Sequence, residues 1–294
     1  MHVFLTGGTG YIGSAVARHL LQHRHQVTVL ARPGSDSASL ESLGASVLRG
    51  ELAGLPELRS KIESHDAFIH AAMSGGTDAS DNDRTAIEVF GAMPRGVFVY
   101  TSGVWVFGNT GHSQITEDSP VNPLPIVAWR PAHEELVVSA SSSDLRTAVL
   151  RPGCVYGARQ SLLSGWFSAI EKGEPVQLVG DGQNRWSMIE IQDLAACYGL
   201  ILESGEDGIF HATDDTDDSL QTLAEATIGA ARSNVGIEYV PLEKARETMG
   251  AFADALAVDQ RVGSDRTRAR LGWTLAVPEY IDSVRRQWSE WRAR

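Results

Sequence analysis

The stretch HVFLTGGTGYIGSAVARHLLQ, residues 2–22, decides the fold. His2–Thr6 reads as a buried strand. Gly13–Gln22 carries apolar residues at helical spacing. Between them stand Gly7-Gly8-Thr9-Gly10-Tyr11-Ile12-Gly13. Glycines this dense at a helix start are costly unless something needs the space. Gly7 permits the tight turn out of the strand. Gly10 lacks a Cβ, so backbone can approach a pyrophosphate. Gly13 lets the helix lie close on the sheet. The free N–H groups and positive end of that helix then face phosphate. A strand before and a helix after turn a weak glycine pattern into a specific one.

Working outward, strand and helix patterns alternate through residue 150. Strands are expected at Gln26–Leu30, Ala45–Arg49, Asp66–Ala71, Val97–Thr101 and Leu145–Arg151, with a helix over 132–142. Strands separated by helix-length segments imply a parallel sheet covered on both faces, and right-handed crossovers make it doubly wound. After about residue 155 helical stretches dominate: 161–172, 192–203, 219–231, 242–249, 264–271 and 278–292. Short strands are expected near 176–179, 208–212 and 236–240. The fold class is therefore α/β, with residues 1–155 as the nucleotide-binding domain and 156–294 as a smaller, mainly helical α/β lobe. Later strands of the sheet can come from that second part.

A chain of 294 residues suits one or two domains. With Lys+Arg 25 against Asp+Glu 37, the net charge is −12, which disfavours nucleic acid and anionic membrane surfaces as partners. The longest apolar run, Leu194–Leu202, is far short of a membrane helix. Residues 1–6 lack a signal peptide's basic region and cleavage site. Cys154 and Cys197 sit in apolar segments, as buried free thiols would, and a cytoplasmic location fits. The acidic run 214–218 reads as a solvated loop before a helix capped at Ser219, since an EF-hand's ligand spacing is absent. His19 and His23 form a helix-surface pair without a third ligand, so no metal is expected.

Cofactor choice is read at the end of the second strand, in Thr28-Val29-Leu30-Ala31-Arg32-Pro33. No carboxylate stands there to bond a ribose 2′-OH. The Arg32 guanidinium is placed for a 2′-phosphate, which favours NADP(H), with NAD(H) the alternative.

Seven segments resemble the NAD(P)-dependent epimerase/dehydratase family, the extended short-chain dehydrogenase/reductase group. They are GGTGYIG (7–13), DAFIHAA (66–72), VYTSGVWVFG (99–108), EDSPVNP (117–123), LRPGCVYG (150–157), VGDGQNRWSMIEIQDLA (179–195) and LGW (271–273). The resemblance implies a Rossmann domain with a C-terminal substrate lobe and a nicotinamide cofactor. It implies cofactor contacts at Gly7, Thr9, Gly10, Tyr11, Ile12, Gly13 and Arg32. Further contacts are implied at Glu51, Leu52, Ala71, Ala72, Thr101, Pro152 and Gly153. It also suggests a homodimer through helices flanking 85–92 and 132–142, with a monomer as the alternative.

The family's chemistry rests on Tyr-x-x-x-Lys and an upstream Ser or Thr. Here Trp129 falls on the Tyr position and His133 on the Lys position. Indole N–H only donates, so Trp129 cannot be the acid/base, whereas a histidine such as His133 is a residue type able to exchange protons. The usual hydroxyl position falls on Gly103, beside Ser102. The chain thus resembles the atypical branch of the family that loses the tyrosine motif. Ser102, His133 and Tyr156 are the catalytic candidates. Tyr100 reads as core. Arg185 resembles the family's phosphate- or sugar-contacting arginine, with an ion pair to Asp181, Glu190 or Asp193 as its structural alternative. Trp105, Trp129 and Trp186 are candidates for an aromatic substrate wall. Loops around 73–82, 109–128 and 158–190 are expected to shape the pocket.

The sequence favours an NAD(P)-dependent oxidoreductase of a small carbonyl or hydroxyl compound with non-standard proton transfer; the alternatives are an epimerase or isomerase using the cofactor transiently or structurally, and a non-enzymatic NADP(H) sensor.

Overall fold

A computed structural model describes residues 1–73, 75, 76, 78–111, 113–157 and 160–293. Seven strands form the main sheet: β1 (His2–Thr6), β2 (Gln26–Ala31), β3 (Ser46–Arg49), β4 (Ala67–His70), β5 (Gly96–Thr101), β6 (Leu145–Pro152) and β10 (Gly208–Ala212). The order is β10-β6-β5-β4-β1-β2-β3, all parallel. The order reverses between β1 and β4, which opens a crevice at the carboxyl ends of the strands.

The strands alternate between two buried faces. Val3, Leu5, Ile69, Val99 and Leu150 face the helices Tyr11–Gln22 and Ile191–Ser204. Phe4, Phe68, Phe98, Tyr100 and Val149 face the helices Leu55–Ile62, Ala79–Gly91 and Arg130–Ser139. Burial on both sides is why these strands are near-continuous apolar runs. β10 and the helix Ile191–Ser204 come from the second half of the chain, so the sheet and its cover are completed after residue 190.

The remaining residues build a lobe with its own core. It holds two parallel strand pairs, β7 (Cys154–Tyr156) with β9 (Met188–Glu190) and β8 (Val176–Val179) with β11 (Ile237–Val240). Trp166, Ile170, Leu178, Trp186, Leu223 and Tyr280 are buried together there. The pair β7–β9 is absent from the sequence expectation, because three-residue strands carry no resolvable period.

The helix expected over 132–142 starts earlier, at Arg130, with Pro131 in its first turn where a missing N–H is harmless. Both cysteines are free and buried, as expected. Ser219 does cap the helix Leu220–Ala230, accepting from the Thr222 N–H at 3.2 Å. The acidic run before it is not simply solvated: Asp214 is 7% exposed and Thr216 is 8%. Among the described residues no helix is long and apolar enough to cross a membrane.

Candidate active site

The glycine loop leaves no room for side chains. Gly7 has φ +77°, and a Cβ on it would lie 2.5 Å from the Ala71 carbonyl oxygen, at the end of β4. A Cβ on Gly13 would lie 2.1 Å from the Gly7 oxygen. Gly8, which the motif logic passed over, fits against β2: its Cβ would meet Val29 Cγ1 at 2.5 Å. The helix that follows is capped by Gly10 with no side-chain acceptor and no acidic residue in its first turn. Its leading N–H groups are therefore free for an outside anion, and a dinucleotide pyrophosphate fits this cradle. The Tyr11 hydroxyl donates to the Gly157 carbonyl at 2.6 Å, tying this helix start to the end of β7. Burial raises the Tyr11 phenol above its ordinary value, and Glu190 adds to the rise.

At the ends of β2 and β3 stand two guanidinium groups. Arg32 is exposed, and among the described residues its side chain has no hydrogen bond or ion pair. Its carbonyl accepts from Ser35 Oγ at 2.8 Å. Arg49 reaches the Ser35 carbonyl at 2.9 Å and Ser37 Oγ at 2.7 Å. Arg49 was not among the sequence candidates. Glu51 is exposed just past β3, and Leu52 opens a short 3-10 turn against the sheet.

A cavity of about 380 Å³ lies beyond the ends of β4, β5 and β6. The structure brings nine sequence candidates to its wall: Tyr11, Ile12, Ala71, Ala72, Thr101, Ser102, Trp105, Pro152 and Gly153. Of the loops expected to shape it, residues 74, 77, 112, 158 and 159 lie outside the described residues.

The wall's polar groups are already organised. The Ser102 hydroxyl donates to Glu134 Oε1. Glu134 in turn holds a buried, bidentate pair with Arg151, Nε to Oε1 3.0 Å and Nη2 to Oε2 2.5 Å. Thr101 Oγ1 shares a 2.5 Å hydrogen bond with the buried Tyr198 hydroxyl. The cavity's charged residue, among those described, is Arg130. Its Nη1 donates to the Thr101 carbonyl at 2.7 Å and to the Tyr100 hydroxyl at 3.3 Å. The sequence reading missed Arg130, although it sits next to Trp129 inside the segment matched to the family motif.

Behind Arg130 lies a buried network centred on Asp83. Tyr100 donates its hydroxyl proton to Asp83 Oδ2 at 2.9 Å. His133 Nδ1 is 2.7 Å from the same oxygen, and His70 Nε2 is 3.2 Å from Oδ1. His70 Nδ1 is 2.6 Å from Thr6 Oγ1. Burial alone would raise the Asp83 carboxyl, but the hydrogen bonds from His133 and His70 outweigh it and hold the group well below the usual carboxylate range.

Five candidates lie elsewhere. His133 is 5% exposed and spent on Asp83, one layer behind the wall. Tyr156 is fully buried in the lobe core, its ring edge-on to Tyr280 at 5.2 Å, and burial raises its phenol further from any useful range. Trp129 is half-buried, lies against the Arg130 guanidinium at 4.7 Å, and does not line the cavity. Trp186 stacks on Trp166 and donates to the Leu256 carbonyl at 3.2 Å. Arg185 takes the structural alternative with a different partner, Asp217, whose carbonyl it reaches at 2.9 Å and whose carboxylate at 3.5 Å. Of the three-tryptophan wall, Trp105 alone is at the cavity. The Cys154 thiol lines the cavity too, but burial pushes it up to about 12, so it stays protonated and unreactive. Lysine occurs only at 61, 172 and 244, and no tyrosine stands four residues before any of them.

These features define a nucleotide-binding α/β protein with a largely apolar cavity, bearing a few hydrogen-bonded polar groups, beside its glycine loop. The family model for the NAD dependent epimerase/dehydratase family matches residues 3–211. The chain belongs to that family. An uncharacterized protein of Schizosaccharomyces pombe, C2A9.02, is 30% identical over 285 residues, 93% of this chain and 94% of its own. Among solved structures, a UDP-glucose 4-epimerase of Thermotoga maritima with UDP-glucose superposes at a TM-score of 0.85. It is 17% identical and covers 99% of each chain. The human epimerase family protein SDR39U1 with NADPH gives 0.82, at 20% identity over 98% of this chain and 99% of that one.

Proposed function

We propose that this protein is an NADP(H)-dependent oxidoreductase of a small carbonyl or hydroxyl compound, with Arg130 at the reacting oxygen. The observation that carries the reading is the Arg130 guanidinium. It borders a largely apolar cavity next to the glycine loop and is held by Thr101 and Tyr100. When bound, the nicotinamide supplies or accepts a hydride. Arg130 stabilises negative charge on the substrate oxygen, and its low-dielectric setting strengthens that effect. Guanidinium does not release its proton in proteins, so Arg130 orients and stabilises but is no acid. Ser102 has committed its proton to Glu134, so its oxygen can accept from a substrate hydroxyl or a water. The proton comes from water entering the cavity, since the Tyr11 hydroxyl is spent on the Gly157 carbonyl and Tyr156, His133 and Cys154 are buried away or unreactive. The free Arg32 guanidinium, with Arg49 beside it, favours a 2′-phosphate, hence NADP(H) over NAD(H).

The two free cysteines support a reducing, cytoplasmic location. A homodimer through the helices Ala79–Gly91 and Arg130–Ser139 goes with this reading, as Val138 is 42% exposed there. So does a division near residue 155 into cofactor domain and substrate lobe. The test is loss of NADPH absorbance across a panel of aldehydes, ketones and enones, run beside a direct measurement of NADPH binding. Oxidation with any of them supports the reading. Tight NADPH binding with no oxidation would favour a sensor, and product formation without net oxidation an epimerase.

A further inference from the structure

A second cavity, of about 600 Å³, lies in the lobe. Its floor is apolar, with Trp166, Leu178, Trp186, Leu220, Phe252 and Leu256. Leu162 lines both this cavity and the one under Arg130. Trp105, on the first wall, meets Phe252, on the second, edge to face at 6.2 Å. Leu162 and this ring pair stand between the two spaces. Among the described lining residues the charged ones are the exposed Lys172, Glu174 and Glu238, one cation against two carboxylates.

An anionic ligand finds little here. Arg185, to which the resemblance gives phosphate or sugar, is bound to Asp217, and Asp217 also holds Arg261 Nε at 3.2 Å. Neither arginine lines either cavity. In the second cavity a nucleoside diphosphate would bring two negative charges to an excess of carboxylates, with no guanidinium among the described residues that line it.

From this arrangement we infer that the substrate is uncharged and elongated: a carbonyl head under Arg130 and an apolar chain or ring passing Leu162 into the second cavity. Nucleotide sugars are not its substrate class. The inference deepens the oxidoreductase reading and rests on it for the head group, while the tail's chemistry rests on the second cavity alone. Burying a methylene strengthens binding about 3-fold to about 4-fold, so affinity grows with chain length until the cavity is full.

The experiment is calorimetric titration of the NADPH-loaded chain with 2-alkanones from 2-pentanone to 2-undecanone, and with UDP-glucose, alongside NADPH oxidation by each ketone. The expected result is a Kd falling about 3-fold per methylene and then levelling, with no UDP-glucose binding at comparable concentration. Met249→Glu, at the partly exposed mouth of the second cavity, should lower the preference for 2-undecanone over 2-pentanone at least about 10-fold. Leu162→Trp, between the cavities, should do the same. A Kd independent of chain length, an unchanged preference in both variants, or tighter binding of UDP-glucose overturns the inference. Length-dependent binding without any NADPH oxidation leaves it standing and sinks the oxidoreductase reading. Oxidation at a rate and affinity indifferent to length does the reverse.

Discussion

The Arg130 guanidinium donates to the Thr101 carbonyl over 2.7 Å, where β5 ends at the cavity wall. That bond fixes a permanent positive charge at the end of β5, two residues before Gly103. Arg130→Met should lower kcat for carbonyl reduction by about 10²–10³, the usual loss for one oxyanion donor, and leave the NADPH Kd nearly unchanged. Arg130→Lys should recover part of it, because the charge stays and the two-point geometry goes. Steady-state kinetics with fluorescence titration of cofactor separates the two effects.

Water as the proton source gives a distinctive pH profile. The Tyr11 phenol at the wall is spent on the Gly157 carbonyl and raised by burial, and among the described residues no imidazole lines the cavity, so log kcat for reduction should stay flat from about pH 6 to about pH 9. A limb in that range, abolished by substitution of one titratable residue, would identify an acid that this account lacks.

Asp83 supports Arg130 through Tyr100 and carries stability of its own. Asp83→Asn removes the charged partner of His133 and His70 in a buried site and should cost about 3–5 kcal/mol. The folded carboxyl lies below its unfolded value, so its contribution is present above the ordinary carboxylate range and lost as pH falls through the folded value. The difference between wild type and variant should therefore be constant at neutral pH and shrink below about pH 4. Denaturant melts at several pH values measure it.

Asp214 behaves oppositely. Burial raises it to about 7, so the folded state holds a proton that the unfolded chain releases near its ordinary value of about 4. Stability from this group is full below about pH 4 and is lost as pH rises to about 7. Asp214→Asn keeps the acceptor for the Thr216 N–H and removes the penalty. Its melting temperature should match or trail wild type in acid and exceed it by several degrees at pH 8.

The glycine cradle and the two arginines at its far end make separable predictions. Gly13→Ala drives a methyl against the Gly7 oxygen and should cost about 1–3 kcal/mol and abolish cofactor binding. Arg32→Glu should raise the NADPH Kd about 10-fold to about 100-fold and spare NADH, the loss expected for a charged hydrogen bond replaced by repulsion. Equal weakening for both cofactors would mean that Arg32 does not touch the 2′-phosphate.

Much of the fold was legible because its signals are local. The strand, glycines and helix of residues 2–22 announce the nucleotide cradle, and β-branched runs mark the buried strands. The candidate site was legible where backbone position sufficed: Ala71, Thr101, Pro152 and Gly153, implied by the family resemblance, stand at strand ends on the cavity wall. Side-chain destinations were not. Tyr156 and Trp186 belong to a lobe core assembled from distant segments, and Arg185 finds Asp217 rather than its sequence neighbours. Arg130 escaped notice because the family motif directs attention to positions 129 and 133. Its role depends on Tyr100 and Asp83, from two other elements.

The most direct test of the central claim is deuterium transfer. The chain is incubated with NADPH carrying deuterium on both C4 positions and a ketone that it binds, and the alcohol is analysed by mass spectrometry and NMR. The account predicts one deuterium on the carbinol carbon, formed by wild type and nearly lost in Arg130→Met. Bound ketone and bound NADPH with no labelled alcohol would contradict it.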